Sequence, residues 1–110
     1  MTGSTASYTP TSCMVICRDG PNGPAARLAA MREHFAYVES MLDELRIAGP
    51  LYDEAGKQMI GSVYCFNSSS LERAKQLIEQ DPYFRAGVFA SVEYFPYLPA
   101  AGQYIGGKIW

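Results

Sequence analysis

Basic side chains are scarce in this chain: nine Lys and Arg stand against eleven Asp and Glu, and nowhere do they form a run. A phosphate backbone is gripped by clustered Lys and Arg, so a net charge of −2 makes nucleic acid an unexpected partner. No apolar stretch approaches the roughly 18 residues that cross a bilayer as a helix, so no membrane span is expected. The opening segment, Met1 to Pro10, is polar and lacks the basic-then-apolar order of a secretion signal. Histidine occurs once, and the three cysteines show no CxxC spacing. A zinc site would need nearly every soft ligand to converge, so no metal is expected. If Cys13 and Cys17 share a strand, about 13 Å separates them at ~3.3 Å per residue, whereas a disulfide needs Cα atoms within about 7 Å. Thiols that stay free point to a reducing, cytoplasmic compartment. Glycines are scattered without a GxGxxG or P-loop pattern, so no nucleotide cofactor is expected.

What is present is globular. Hydrophobic residues make up 48% and charged residues 18%, enough for one modest core in one domain of 110 residues. Residues 1–11 read as a flexible leader, 12–97 as the folded domain and 98–110 as a C-terminal tail. Ser12 to Arg18 (SCMVICR) is a short run of strand formers, closed by the turn-rich Asp19-Gly20-Pro21-Asn22-Gly23. Leu28, Met31, Phe35, Val38, Leu42 and Leu45 recur at steps of three and four. This spacing predicts one long helix over about 24–47, with that stripe facing a core. Pro24 suits its first turn, and Gly49-Pro50 ends it. Met59 to Phe66 reads as a strand, preceded by a short extended piece near 48–52.

Ser69 followed by Glu72 forms a capping box that opens a second helix over about 70–80. Asp81-Pro82 is a fresh cap and first helical residue, and Val88 to Tyr97 is a last strand. The order strand, helix, strand, helix, strand predicts an α+β, ferredoxin-like split βαβ fold with helices on one face of an antiparallel sheet. The other face also carries apolar residues, read as Phe89, Phe95, Ile60, Tyr64 and Phe66. A second copy is the economical cover, so a homodimer is expected.

Five segments in order carry a family resemblance: Val15-Ile16-Cys17-Arg18-Asp19-Gly20, Arg32-Glu33-His34-Phe35-Ala36-Tyr37-Val38, Ala48-Gly49-Pro50-Leu51, Met59-Ile60-Gly61-Ser62, and Asp81-Pro82-Tyr83-Phe84-Arg85-Ala86-Gly87-Val88-Phe89. Over about 12–97 the chain resembles the YciI-like (YCII-related) proteins. The resemblance implies a dimeric α+β barrel, likeness to the muconolactone isomerases, and kinship with a dechlorinating enzyme of aromatic degradation. It also implies that His34 and Asp81 are the suspected active-site pair.

Each candidate has a bland alternative. His34 lies at the edge of the Leu28–Leu45 stripe. There its imidazole can exchange a proton in a cleft mouth, or simply bond a nearby carbonyl. Asp81 can cap its helix, orient the imidazole, or do both with its two oxygens. Arg18 can hold a substrate carboxylate or stand solvated. Ser62 would be a nucleophile only beside a base, and Tyr83 can line an aromatic pocket or belong to the core. The expected function is cofactor-free acid/base chemistry (isomerisation, elimination or hydrolysis) on a cyclic or aromatic-derived small molecule. The alternatives are a non-catalytic ligand-binding or regulatory dimer, or an interaction partner of a neighbouring enzyme. The tail holds Tyr104, Ile105, Ile109 and Trp110 beside a single charge, so it is expected to dock in an apolar groove.

Overall fold

A computed structural model describes residues 8–110, so the first seven residues of the expected leader lie outside the described ones. The main elements run β1 (Ser12–Asp19), α1 (Gly23–Ser40), a 3-10 turn (Leu42–Glu44), β2 (Leu45–Tyr52), β3 (Met59–Phe66), α2 (Leu71–Glu79), α3 (Pro82–Arg85) and β4 (Phe89–Tyr97). The sheet order is β2-β3-β1-β4, with every neighbouring pair antiparallel. This is the ferredoxin-like α+β fold that the element order predicts. Among the described residues, no helix is long and apolar enough to cross a membrane.

Strand alternation builds the core. Cys13, Val15 and Cys17 point to the helix side, where Val15 lies opposite both Tyr64 and Tyr94, and Cys13 opposite Phe66. Ala74, Leu77 and Ile78 of α2 supply the facing helical stripe, and Met41 closes one end. Ser70 rather than Ser69 caps α2, accepting the Arg73 N–H at 3.1 Å. Gly61 is dictated by close approach: a Cβ there would overlap the Cys17 carbonyl oxygen on β1.

Two further expectations are corrected. The helix expected over 24–47 stops at Ser40, because Met41 leaves helical geometry (φ −121°, ψ 20°) and the chain enters an edge strand. Leu45 still reaches the core, from β2 opposite Phe66, so its spacing imitated a continuing helix. The two sheet faces are also exchanged at β3. Tyr64 and Phe66 belong to the helix-side core, and Phe89 packs against it. The far face instead carries Met14, Ile16, Val63 and Cys65, flanked by Ile47 and Phe95. Arg18 and Glu93 share this face, and part of it stands open, with Ile47 51% and Phe95 45% exposed.

The tail forms a hairpin of two short strands, β5 (Ala101–Gly102) and β6 (Gly107–Lys108), around a 3-10 turn. In the single chain Tyr104 is 89% and Trp110 63% exposed. A cavity of about 590 Å³ separates the hairpin from the far sheet face, with Ile47, Cys65, Tyr97 and Tyr104 among its walls.

Candidate functional site

Helix α1 does not lie flat on the sheet. Leu28 is 73% and Phe35 54% exposed, so most of the stripe expected to enter a core faces open space. The helix is instead fastened at its ends. At the C-terminal end Tyr37, Val38 and Met41 pack on the core. The Tyr37 hydroxyl also donates to Leu77 O at 2.5 Å, a carbonyl in the last turn of α2 that has no helical partner.

At the other end Arg27 is buried. Its Nε and Nη2 grip the Asp19 carboxylate at 2.7 and 3.0 Å, and Nη2 also reaches Gly61 O at 2.8 Å and Ser62 Oγ at 2.9 Å. Gly23 makes room for that carboxylate, since a Cβ there would come within 2.8 Å of Asp19 Oδ2. Between the two fastenings lies a cleft of about 870 Å³, walled by Leu28, Met31 and Phe35 of α1 and by Pro50 and Met59 across from them.

His34 stands midway along this span, with Nδ1 2.7 Å from Asp81 Oδ1. An ionised carboxylate can only accept, so Nδ1 carries the proton and Nε2 is the nitrogen left for a ligand. The imidazole stacks on the Tyr83 ring, with centroids 3.7 Å apart and planes 5° from parallel. Asp81 is completely buried and has three donors. Oδ1 takes His34 Nδ1–H and the Tyr83 backbone N–H at 2.8 Å, while Oδ2 takes the Tyr64 hydroxyl at 2.7 Å. One carboxylate thus caps α3 and orients the imidazole together.

The electrostatics keep the supporting groups in fixed states. Burial, then the Asp81 charge, pushes the Tyr64 phenol far above its ordinary range, so it remains an O–H donor. Burial raises Tyr83 as well, partly opposed by the Arg27 charge. For Arg27 burial works against the cation, but the Asp19 hydrogen bonds and charge outweigh it. Burial, with Asp81 adding to it, pushes the Cys17 thiol up to about 12, leaving it unreactive.

Of the five residues singled out in the sequence, His34, Ser62 and Tyr83 therefore line one cleft, and Asp81 lies buried behind His34. The Ser62 hydroxyl accepts from the guanidinium of Arg27 and donates to no imidazole, so no base activates it. Arg18 lies elsewhere, exposed at the end of β1 and 3.5 Å from Glu93. Sequence reasoning missed Arg27 and Tyr64. Arg27 precedes His34 by seven residues, two helical turns, which places both on one face of α1. Among the described residues, no three His, Cys, Asp or Glu side chains converge as metal ligands.

The YCII-related domain matches residues 11–98. An uncharacterized protein of Haemophilus influenzae is 33% identical over 91 residues, spanning 76% of this chain and 93% of that one. Among solved structures, 5-chloro-2-hydroxyhydroquinone dehydrochlorinase from Burkholderia phenoliruptrix, in complex with 2,5-dihydroxybenzoquinone, superposes with a TM-score of 0.70 at 23% identity. That match covers 84% of this chain and 97% of the dehydrochlorinase.

Proposed function

Because this chain belongs to the YCII-related family, we propose that its cleft is the active site of a small-molecule enzyme that moves protons on a cyclic, aromatic-derived substrate. The observation that carries the reading is the His34–Asp81 contact of 2.7 Å on the wall of an open cleft. A buried carboxylate fixes the imidazole's orientation and tautomer and stabilises the imidazolium that forms when Nε2 takes a proton. Nε2 removes a proton from a ring hydroxyl or from a carbon next to a ring carbonyl. The imidazolium then returns it at another position, an isomerisation, or the electron pair expels an anionic leaving group, an elimination. Neither route calls on a cofactor. The similarly folded dehydrochlorinase, seen with a dihydroxybenzoquinone, favours an oxygenated ring as the substrate.

The test is chloride release from 5-chloro-2-hydroxyhydroquinone and proton exchange on unchlorinated hydroxylated rings, with wild type, His34→Gln and Asp81→Asn. Turnover in wild type that His34→Gln abolishes and Asp81→Asn lowers supports the reading. Equal rates in wild type and His34→Gln would overturn it. Saturable binding with no turnover in wild type would favour a non-catalytic ligand-binding module.

We also propose a homodimer joined across the far sheet face. Ile47, Leu51, Phe95 and Tyr97 are each at least 36% exposed there, and a two-fold pairing would cover the patch with itself. The tail hairpin borders the same face, so its exposed aromatics would meet the partner. Sedimentation showing a single 12.1 kDa species at micromolar concentration would rule this out.

A further inference from the structure

We propose that Arg27 is a substrate-binding residue whose Nη1 edge holds an ionised ring oxygen, so that the cleft selects phenolate- or enolate-bearing rings over their O-methylated counterparts. This rests on the proposed small-molecule site and names the class of substrate it takes.

A guanidinium has five N–H donors in a fixed fork. Nε spends its one on Asp19 Oδ2. Nη2 has two, and three oxygens compete for them: Asp19 Oδ1, Gly61 O and Ser62 Oγ. Nη1 also has two, and its partner is the Met59 sulfur at 3.7 Å. A thioether is a weak acceptor, so this is the unsaturated edge of a buried cation. Buried donors are costly to leave without an oxygen, so a ligand oxygen is a better partner for this edge than the sulfur. Arg27 and Met59 both line the cleft, so a ligand that displaces the sulfur finds the N–H pair already oriented.

The same geometry fixes where the rest of the ligand lies. Arg27 and His34 stand two turns apart, about 10.5 Å along α1. Both lean on Tyr83: Arg27 Cζ is 5.1 Å from its ring centroid, and the imidazole stacks on it at 3.7 Å. Both side chains therefore touch one aromatic ring. A six-membered ring with an oxygen on Nη1 then lies in the same cleft that His34 lines. Asp19 offsets the guanidinium's charge, so the selection works through a directed charge-assisted hydrogen bond and not through net charge. A negative charge held on that oxygen also delocalises into the ring, where it promotes departure of a leaving group from the edge nearest His34.

The test is a pair of inert probes, 4-nitrophenolate and 4-nitroanisole, titrated into the full chain carrying isotope-labelled arginine. The phenolate should shift the Arg27 Nη resonances and bind at least about ten-fold tighter than the ether, the size of one hydrogen bond to a charged group. Arg27→Lys keeps a cation for Asp19 but has no second edge, and should lose the preference. If that variant does not fold, the two-probe comparison and the Nη shift in wild type decide alone. Equal affinities, binding without an Nη shift, or no phenolate binding at millimolar concentration each overturn the inference. His34→Gln should retain the preference. A preference that persists without His34-dependent turnover refutes the proposed catalysis alone, and turnover without a preference refutes Arg27's role alone.

Discussion

Replacing Tyr64 with Phe removes a single oxygen from the deepest part of the site. That hydroxyl donates at 2.7 Å to Asp81 Oδ2, and Asp81 is 0% exposed, so no bulk water replaces it. A hydrogen bond to a charged group contributes about 1.5–3 kcal/mol, and the abandoned oxygen stays buried. At about 2.1 cal/mol/K per residue, a chain of this length unfolds with an entropy near 0.23 kcal/mol/K, so Tm should fall by about 6–13 °C. Tyr37→Phe is the matched control. It deletes a hydroxyl bonded to a neutral carbonyl, Leu77 O, worth about 0.5–1.5 kcal/mol or ~2–6 °C. Differential scanning calorimetry of the two variants reads the difference directly. If Tyr64→Phe melts within a degree or two of wild type, or loses less than Tyr37→Phe, then Asp81 is not the buried, three-donor carboxylate described above.

Gly61→Ala should cost about 1–3 kcal/mol, seen as a lower urea midpoint, because its Cβ would overlap the Cys17 carbonyl and push β1 from β3. Cys17 sets a pH dependence. Its folded pKa is raised to about 12 from an ordinary 9.0, so the stability it contributes is complete below about pH 9 and falls from there toward 12. The slope reaches about 1.4 kcal/mol per pH unit, and Cys17→Ala should make the alkaline decline of urea stability shallower; an identical slope would count against a neutral buried thiol. Truncation after Leu98 removes the tail hairpin and should weaken the dimer measured by sedimentation equilibrium, whereas unchanged assembly would leave the tail without a docking role.

The elements that the sequence made legible are those whose signals are local. Ser12–Asp19 and Met59–Phe66 alternate, α2 carries Ala74, Leu77 and Ile78 on one stripe, and Asp81-Pro82 announces its own helix start. The end of α1 was hidden because Leu42 and Leu45 continue the three-and-four spacing across the break. What decides is pairing of Leu45–Tyr52 with β3, a partner met only in three dimensions. The assignment of faces on β3 failed likewise, because alternation tells which residues share a side but not which side the helices cover. At the site, His34 stood out as the lone histidine and Asp81 as a cap. Arg27 carried no local signal, since its partners Asp19, Gly61 and Ser62 come from two strands brought to it by folding.

Helix α1 is anchored at Arg27 and again at Tyr37–Met41, while the residues between them overhang the cleft. Leu28, Met31 and Phe35 consequently shape the chamber without holding the fold together, and drift at those three positions is cheap for folding. Relatives could diverge there in size and shape, each fitting a different ring, while the two fastenings and the Asp81 network stay as they are. The scaffold thereby separates the residues that selection must preserve from those it can spend on novelty.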